Sequence, residues 1–82
     1  MKYDFEFKPR AVKELDRLPT AQQRRIVAKI ERLADGLRGD VKRLTNFTPE
    51  YRLRVGDYRV LFAIDRGKIE IYRVCHRREA YN

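Results

Sequence analysis

YRLRVGDYRVLFAI, residues 51–64, decides the fold. Two alternating runs flank Gly56-Asp57, a dipeptide of the kind that closes a two-residue β-hairpin. With that turn, Val55 pairs with Tyr58, and Arg54 stands directly opposite Arg59 on the neighbouring strand. Side chains alternate across a strand, so Arg52 points the same way as Arg54. Leu53, Val55, Tyr58, Val60, Phe62 and Ile64 point to the other face, where helices can cover them. Opposed arginines repel, and the hairpin is weakened unless an anion sits between them. A phosphate meets that need, because the planar guanidinium fork matches its oxygens. Three such groups on a rigid sheet can hold a phosphodiester and stabilise negative charge that develops on it. The plainer alternative is a solvated arginine face.

Downstream, IEIYRV follows Arg66-Gly67, which predicts a second tight hairpin and a third strand. Alternation does not fix the register beyond Tyr72. Upstream, Asn46 to Pro49 reads as a turn region, VKRL (41–44) as a short extended piece, and Gly36 and Gly39 bracket a loop. Before that loop, Ile26, Ile30, Leu33 and Leu37, with Val27 and Ala34, form one apolar stripe of a helix. Arg24, Arg25, Lys29 and Arg32 lie largely off the stripe and read as its solvated face. Thr20 and Gln23 have capping-box spacing at the start of this helix. A shorter helix precedes it: Pro9 fits a first turn, Val12, Leu15 and Leu18 recur at spacing three, and Pro19 stops it. Tyr3, Phe5 and Phe7 alternate with Asp4, Glu6 and Lys8, as in a half-buried strand. The expected architecture is α+β: a strand, two antiparallel helices, then a three- to four-stranded antiparallel sheet with both helices on one face. The aromatic residues Tyr3, Phe5, Phe7, Tyr58 and Phe62 fall on apolar parity and read as core.

At 82 residues, the chain has material for one domain and one core. Its 20 Lys and Arg against 12 Asp and Glu give a formal charge of +8, which points to a polyanionic partner. The N-terminal MKYDFEFK alternates charge with aromatics and has no apolar run. The expectation is a cytoplasmic protein with neither a signal peptide nor a membrane anchor. One cysteine, Cys75, and one histidine, His76, offer neither an internal disulfide nor metal-ligand spacing. Cys75 sits in an apolar run and reads as a core or sheet residue, with a reactive thiol as the alternative. Glu50 and Glu79 are the acids that lie close to the basic motifs, too few for a carboxylate-bound metal pair. No metal and no cofactor are expected.

The run LTNFTPEYRLRVGDYRVLFAIDRGKIEIYRVCHRREAY (44–81) resembles the C-terminal half of RelE-type toxins of the RelE/ParE toxin superfamily, which belong to type II toxin-antitoxin systems. Members often show a Y-R-x-R-x-G-x-Y-R-x-L-F/Y core and end in a basic cluster followed by E-x-Y. The preceding strand and helices fit the same fold, so the resemblance spans nearly the whole chain and implies a single RelE-like toxin domain over 1–82. It implies a RelE-like microbial RNase-type sandwich and a metal-independent endoribonuclease, an mRNA interferase that inhibits translation by cutting mRNA in the ribosomal A site. In that reaction the 2′-hydroxyl attacks the adjacent phosphate, leaving a 2′,3′-cyclic phosphate and a 5′-hydroxyl. Carried over by position, Arg52 and Arg54 match the family's basic pair, Arg59 its strand arginine, Arg77 the C-terminal basic residue, and Tyr81 the terminal tyrosine that would stack on a base. Arg78, Lys42 and Arg43 are further candidates for RNA binding.

The family's well-studied members carry lysines at the positions of Arg52 and Arg54, and arginine does not give up its proton. The general base is therefore not assigned by the resemblance. His76 is a candidate for proton transfer because an unperturbed imidazole titrates near neutral pH; alternatively it simply ends a strand. A ParE-type toxin, which blocks DNA gyrase, resembles the same scaffold. A non-catalytic RNA-binding module and a decayed toxin are two further readings. The resemblance also implies partners: a cognate RelB-like antitoxin whose flexible, often acidic segment wraps the toxin, the ribosome and mRNA, and no membrane.

Overall fold

Turn chemistry sets both hairpins. Gly56 has φ +59° whereas Asp57 keeps a negative φ, the pattern of a II′ turn led by glycine; Arg66 and Gly67 both have positive φ (+52° and +78°), the I′ pattern. Both turn types match the right-handed twist of the strands they join. The computed structural model describes residues 2–80. Along the chain come β1 (Asp4–Phe7), α1 (Pro9–Asp16), α2 (Thr20–Ala34), β2 (Asp40–Arg43), β3 (Tyr51–Val55), β4 (Tyr58–Asp65) and β5 (Lys68–His76). The strands form one five-stranded sheet in the order β1-β5-β4-β3-β2.

The sheet is mixed, which corrects the expectation of a purely antiparallel one. β2 to β5 pair antiparallel, but β1 joins as a fifth strand parallel to β5, with Phe5 beside Ile69 and Phe7 beside Ile71. Alternation in residues 3–8 identifies a strand and is silent about its partner. Phe5 is also less covered than its parity suggests, because β1 is an edge strand; the residue is 37% exposed and its ring meets Phe7 edge-on at 6.2 Å.

One apolar core lies between the helices and the inner sheet face. Ile26, Ile30 and Leu33 of α2 and Ala11 of α1 pack against Leu53, Val55, Val60, Phe62, Ile69, Ile71 and Val74, all nearly or fully buried. Tyr51 stacks on Phe62 within this layer, with ring centroids 5.5 Å apart. In α1 the buried stripe is Ala11 and Leu15 continuing to Leu18, at i, i+4 and i+7, rather than Val12, Leu15 and Leu18. Val12 falls about 100° round the helix and is 43% exposed. The expected capping box is also absent. Pro19 occupies the N-cap position of α2, leaving Thr20 inside the first turn with no cap to make. Gln23 turns back instead and donates through Nε2 to the carbonyls of Leu18 (2.9 Å) and Asp16 (3.3 Å), tying the two helices together.

A bulge in β5 sets the geometry of the other sheet face. Leu61 pairs with Arg73 and Phe62 with Ile71, so Tyr72 has no partner residue on β4. Strict alternation from Ile69 and Ile71 would send Arg73 and Cys75 inward. The extra residue reverses the parity: Val74 enters the core, while Arg73 and Cys75 share the outer face with Arg59 and Leu61. β1 ends at Phe7, leaving the edge of β5 open beyond Ile71. There α1 takes its place, and Glu14 accepts the Val74 amide (2.9 Å) and both oxygens meet Arg73 Nε (3.1 and 3.0 Å).

Candidate functional site

Register places the polar outer face in two transverse rows, since residues paired across neighbouring strands share a face. One row runs Asp40, Arg54, Arg59, Cys75; the next runs Lys42, Arg52, Leu61, Arg73. Within a row neighbours are about 4.8 Å apart by strand spacing, and the rows are about 7 Å apart. Arg52, Arg54 and Arg59 thus lie together on this face, with Arg54 directly opposite Arg59.

Each guanidinium is held differently. Arg59 is half-buried and curls back to donate through Nη1 to the carbonyls of Gly56 (2.9 Å) and Tyr58 (3.0 Å), fastening its fork to the turn. Arg52, 16% exposed in its side chain, donates through Nη1 to Asp40 Oδ1 (3.1 Å) and to the Asp40 carbonyl (3.0 Å). Arg54 is exposed between Asp40 and Arg59. Arg77 extends the β4–β5 ladder by donating its amide to the Asp57 carbonyl (2.8 Å), and its side chain lies 3.9 Å from the Asp57 carboxylate. That puts Arg77 beside the same turn to which Arg59 is fastened. From the helix side, Arg25 also approaches this turn: a Cβ on Gly56 would come within 2.9 Å of its Nη1.

The remaining candidates divide between faces. Lys42 is exposed on the arginine face beside Arg52. Arg43 pairs with Tyr51 and so belongs to the opposite parity of an edge strand. His76 pairs with Tyr58 on the helix side, its ring 5.9 Å from the tyrosine ring, and its Nδ1 accepts the Arg78 amide (3.2 Å). An Nδ1 that accepts a hydrogen bond carries no proton, so neutral His76 has its proton on Nε2. Arg78 itself is exposed in the turn that follows β5. Tyr81 lies outside the described residues.

The sequence reading passed over three features. Asp40 opens β2 one residue before the VKRL piece and places a carboxylate among the arginines. Arg73 joins this face only through the bulge; hydrogen bonding to Glu14 pushes its already high pKa further up. Beside Leu61 lies an open cleft of about 370 Å³, walled by Phe47, Pro49, Tyr72 and Ala80 and rimmed by Lys8 and Arg10. Lys8 lies over the Tyr72 ring, 5.6 Å from its centre. Cys75 is buried at the end of the first row, and burial pushes its thiol pKa up, leaving it a neutral sheet residue.

Among the described residues no group of three or more His, Cys, Asp or Glu side chains is placed to hold a metal ion, and no helix is long and apolar enough to cross a membrane.

Comparison with known proteins agrees with this architecture. The family model for the ParE toxin of the type II toxin-antitoxin system parDE matches residues 5–81. Toxin RelE3 of Methanocaldococcus jannaschii is 32% identical over 76 residues, covering 87% of this chain and 86% of that protein. The fold superposes on the crystal structure of an archaeal RelE-RelB complex from Pyrococcus horikoshii with a TM-score of 0.78 at 30% identity, covering 98% of this chain and 100% of the other. A RelB-RelE antitoxin-toxin complex from Methanococcus jannaschii gives a TM-score of 0.75 at 30% identity, covering 92% and 93%. The RelBE2 toxin-antitoxin complex from Mycobacterium tuberculosis gives 0.75 at 28% identity, covering 93% and 99%. Sheet order, arginine face and these relatives together place the chain: it belongs to the RelE/ParE superfamily of type II toxin-antitoxin toxins, as a RelE-type member.

Proposed function

We propose that the protein is an mRNA interferase that cuts mRNA in the ribosomal A site by attack of a 2′-hydroxyl on the adjacent phosphate. The observation that carries this reading is the register of Arg54 against Arg59, with Arg52 and Lys42 in the next row, on the face that no helix covers. Directly opposed guanidinium groups are unfavourable without an anion, and a phosphodiester between them satisfies both. In the transition state its oxygens gain charge, which fixed forks stabilise without reorganising. Arg59 is already held by two carbonyls, so its fork is preorganised. The guanidinium groups supply the positive charge that other nucleases draw from metal ions, and the reaction is metal-independent. Arg77 reaches the phosphate from the turn, Tyr81 stacks on a base, and the cleft walled by Phe47 and Tyr72 offers a second aromatic surface one row away.

A RelB-like antitoxin is the proposed protein partner, supported by three structural relatives that were solved as antitoxin-toxin complexes. The net charge of +8 favours ribosomal RNA and mRNA as polyanionic partners. The second reading is inhibition of DNA gyrase, favoured by the ParE name of the family model. It would not require the arginines to converge on one face.

Primer-extension mapping of mRNA in a purified translation system tests the proposal, with Arg59→Ala and a ribosome-free reaction as controls. Discrete ribosome-dependent cuts that vanish in Arg59→Ala are expected. Intact mRNA with folded wild-type protein would refute the nuclease reading, and loss of gyrase supercoiling activity under the same dosing would establish the second one.

A further inference from the structure

Attack by a 2′-hydroxyl needs an acceptor for its proton, and guanidinium groups cannot serve. We propose that Asp40 is the general base, a role that rests on the nuclease reading above.

Elimination on the outer face leads to this carboxylate. The charged side chains of Lys42, Arg52, Arg54 and Arg59 are donors without an acceptor atom. Arg73 is engaged by both oxygens of Glu14. Cys75 is buried, with its thiol directed at the Arg59 carbonyl, 3.9 Å away. His76 faces the helices on the other side of the sheet. Asp57 is also exposed but lies in the turn beside Arg77, and Glu6 is paired with Lys68 at the far edge of the sheet. Asp40 is the accessible carboxylate in the same row as the arginine pair, its side chain being 56% exposed.

Placement agrees with the chemistry. Asp40 pairs with Arg54 and sits in the same row as Arg59, so a phosphate held between the two arginines has this carboxylate about one strand spacing beyond Arg54. Arg52 Nη1 binds Oδ1 and the backbone carbonyl of the same residue, which fixes the carboxylate and leaves Oδ2 outside that bond. The groups that face Asp40 from its own strand and from β3 are Lys42, Arg52 and Arg54, all cationic. In the step itself, Asp40 takes the 2′-hydroxyl proton while O2′ bonds to phosphorus. The bond from phosphorus to O5′ breaks, and the departing oxygen takes a proton from solvent. The products are a 2′,3′-cyclic phosphate and a 5′-hydroxyl end, and Asp40 later releases its proton to water.

Asp40→Asn separates this role from a structural one. Asparagine keeps an Oδ1 that accepts from Arg52 but cannot take the proton, and the change removes a negative charge from an RNA-binding face. If Asp40 merely positions Arg52 or screens its neighbours, binding strengthens and cleavage holds or rises. If it is the base, the two roles part in sign. Single-turnover cleavage of ribosome-bound mRNA in the purified translation system should fall by about 100-fold or more in Asp40→Asn. The apparent affinity for the ribosome should be unchanged or tighter. Asp40→Glu should recover part of the rate. Asp40→Asn protein that unfolds at the wild-type temperature yet cuts within a few-fold of wild type would overturn the assignment and leave the nuclease reading standing. A folded wild type that makes no cut overturns both.

Discussion

Arg54 and Arg59 stand in register across the β3–β4 hairpin, each the other's direct neighbour on an exposed face. Like charges in this relation cost the hairpin stability. The pair is therefore a place where fold and function pull apart, and Arg54→Gln tests it. Removing one charge should stabilise the free protein by about 0.5 kcal/mol, roughly 2–4 °C in Tm for a domain of this size. Cleavage should fall by about 100-fold, the usual cost of deleting one donor to a developing anion. Thermal unfolding and primer extension on the same preparation check both signs. Lower stability with retained cleavage would show that the repulsion is already relieved within the free protein.

The turn that joins these strands should be equally sensitive. Gly56 has φ +59°, where an L side chain is strained, and a Cβ would come within 2.9 Å of Arg25 Nη1. Arg25 ends in a flexible side chain and can move, so the backbone sets the cost. Gly56→Ala should destabilise by about 1–2 kcal/mol. Because the Gly56 carbonyl anchors Arg59, the same change should also slow cleavage. Gly67→Ala is the matched control: its φ is +78°, but no atom lies within 4 Å of the new Cβ. It should cost stability alone, as chemical denaturation alongside the cleavage assay would show.

How far these features can be read from residues depends on whether a local rule governs them. The Gly56-Asp57 turn fixes the register of Arg54 against Arg59, and the stripe of Ile26, Ile30 and Leu33 fixes the buried face of α2; both follow from spacing along the chain. The parallel seat of β1 beside β5 joins segments more than sixty residues apart, and nothing in Tyr3 to Lys8 encodes it. The bulge at Tyr72 is likewise a matter of what lies alongside, since α1 and Glu14 replace β1 at that point of the edge. Alternation alone would turn Arg73 and Cys75 into the core. Asp40 escaped the site reading for a related reason: β2 is only four residues long, and its pairing with β3, not its composition, carries Asp40 to Arg54.

Cys75 should be chemically quiet. It is 5% exposed, and burial pushes the thiol pKa up, which lowers the thiolate fraction at any given pH. Alkylation by iodoacetamide at pH 8 should be slow in the folded protein and fast after denaturation, as mass spectrometry of timed samples would report. Rapid labelling under native conditions would mean that β5 opens beyond the bulge.

Glu14 is the side chain whose loss should damage the fold most for its size. Its carboxylate accepts the Val74 amide and grips Arg73 through Nε (3.1 and 3.0 Å) and Nη2 (2.9 Å), joining α1 to β5 where β1 has ended. Both side chains are largely covered, at 17% and 15% exposed. Breaking a fully buried pair by removing one partner typically costs roughly 3–5 kcal/mol; residual solvent here reduces that. Glu14→Ala should therefore destabilise by about 2 kcal/mol, leaving an edge amide and a guanidinium without their acceptor. Glu14→Gln keeps one oxygen for Val74 and should lose about half as much. Denaturant unfolding measures the difference, and hydrogen exchange should show protection lost first at Val74. Equal stability of Glu14→Ala and wild type would mean that water satisfies this edge as well as the carboxylate does.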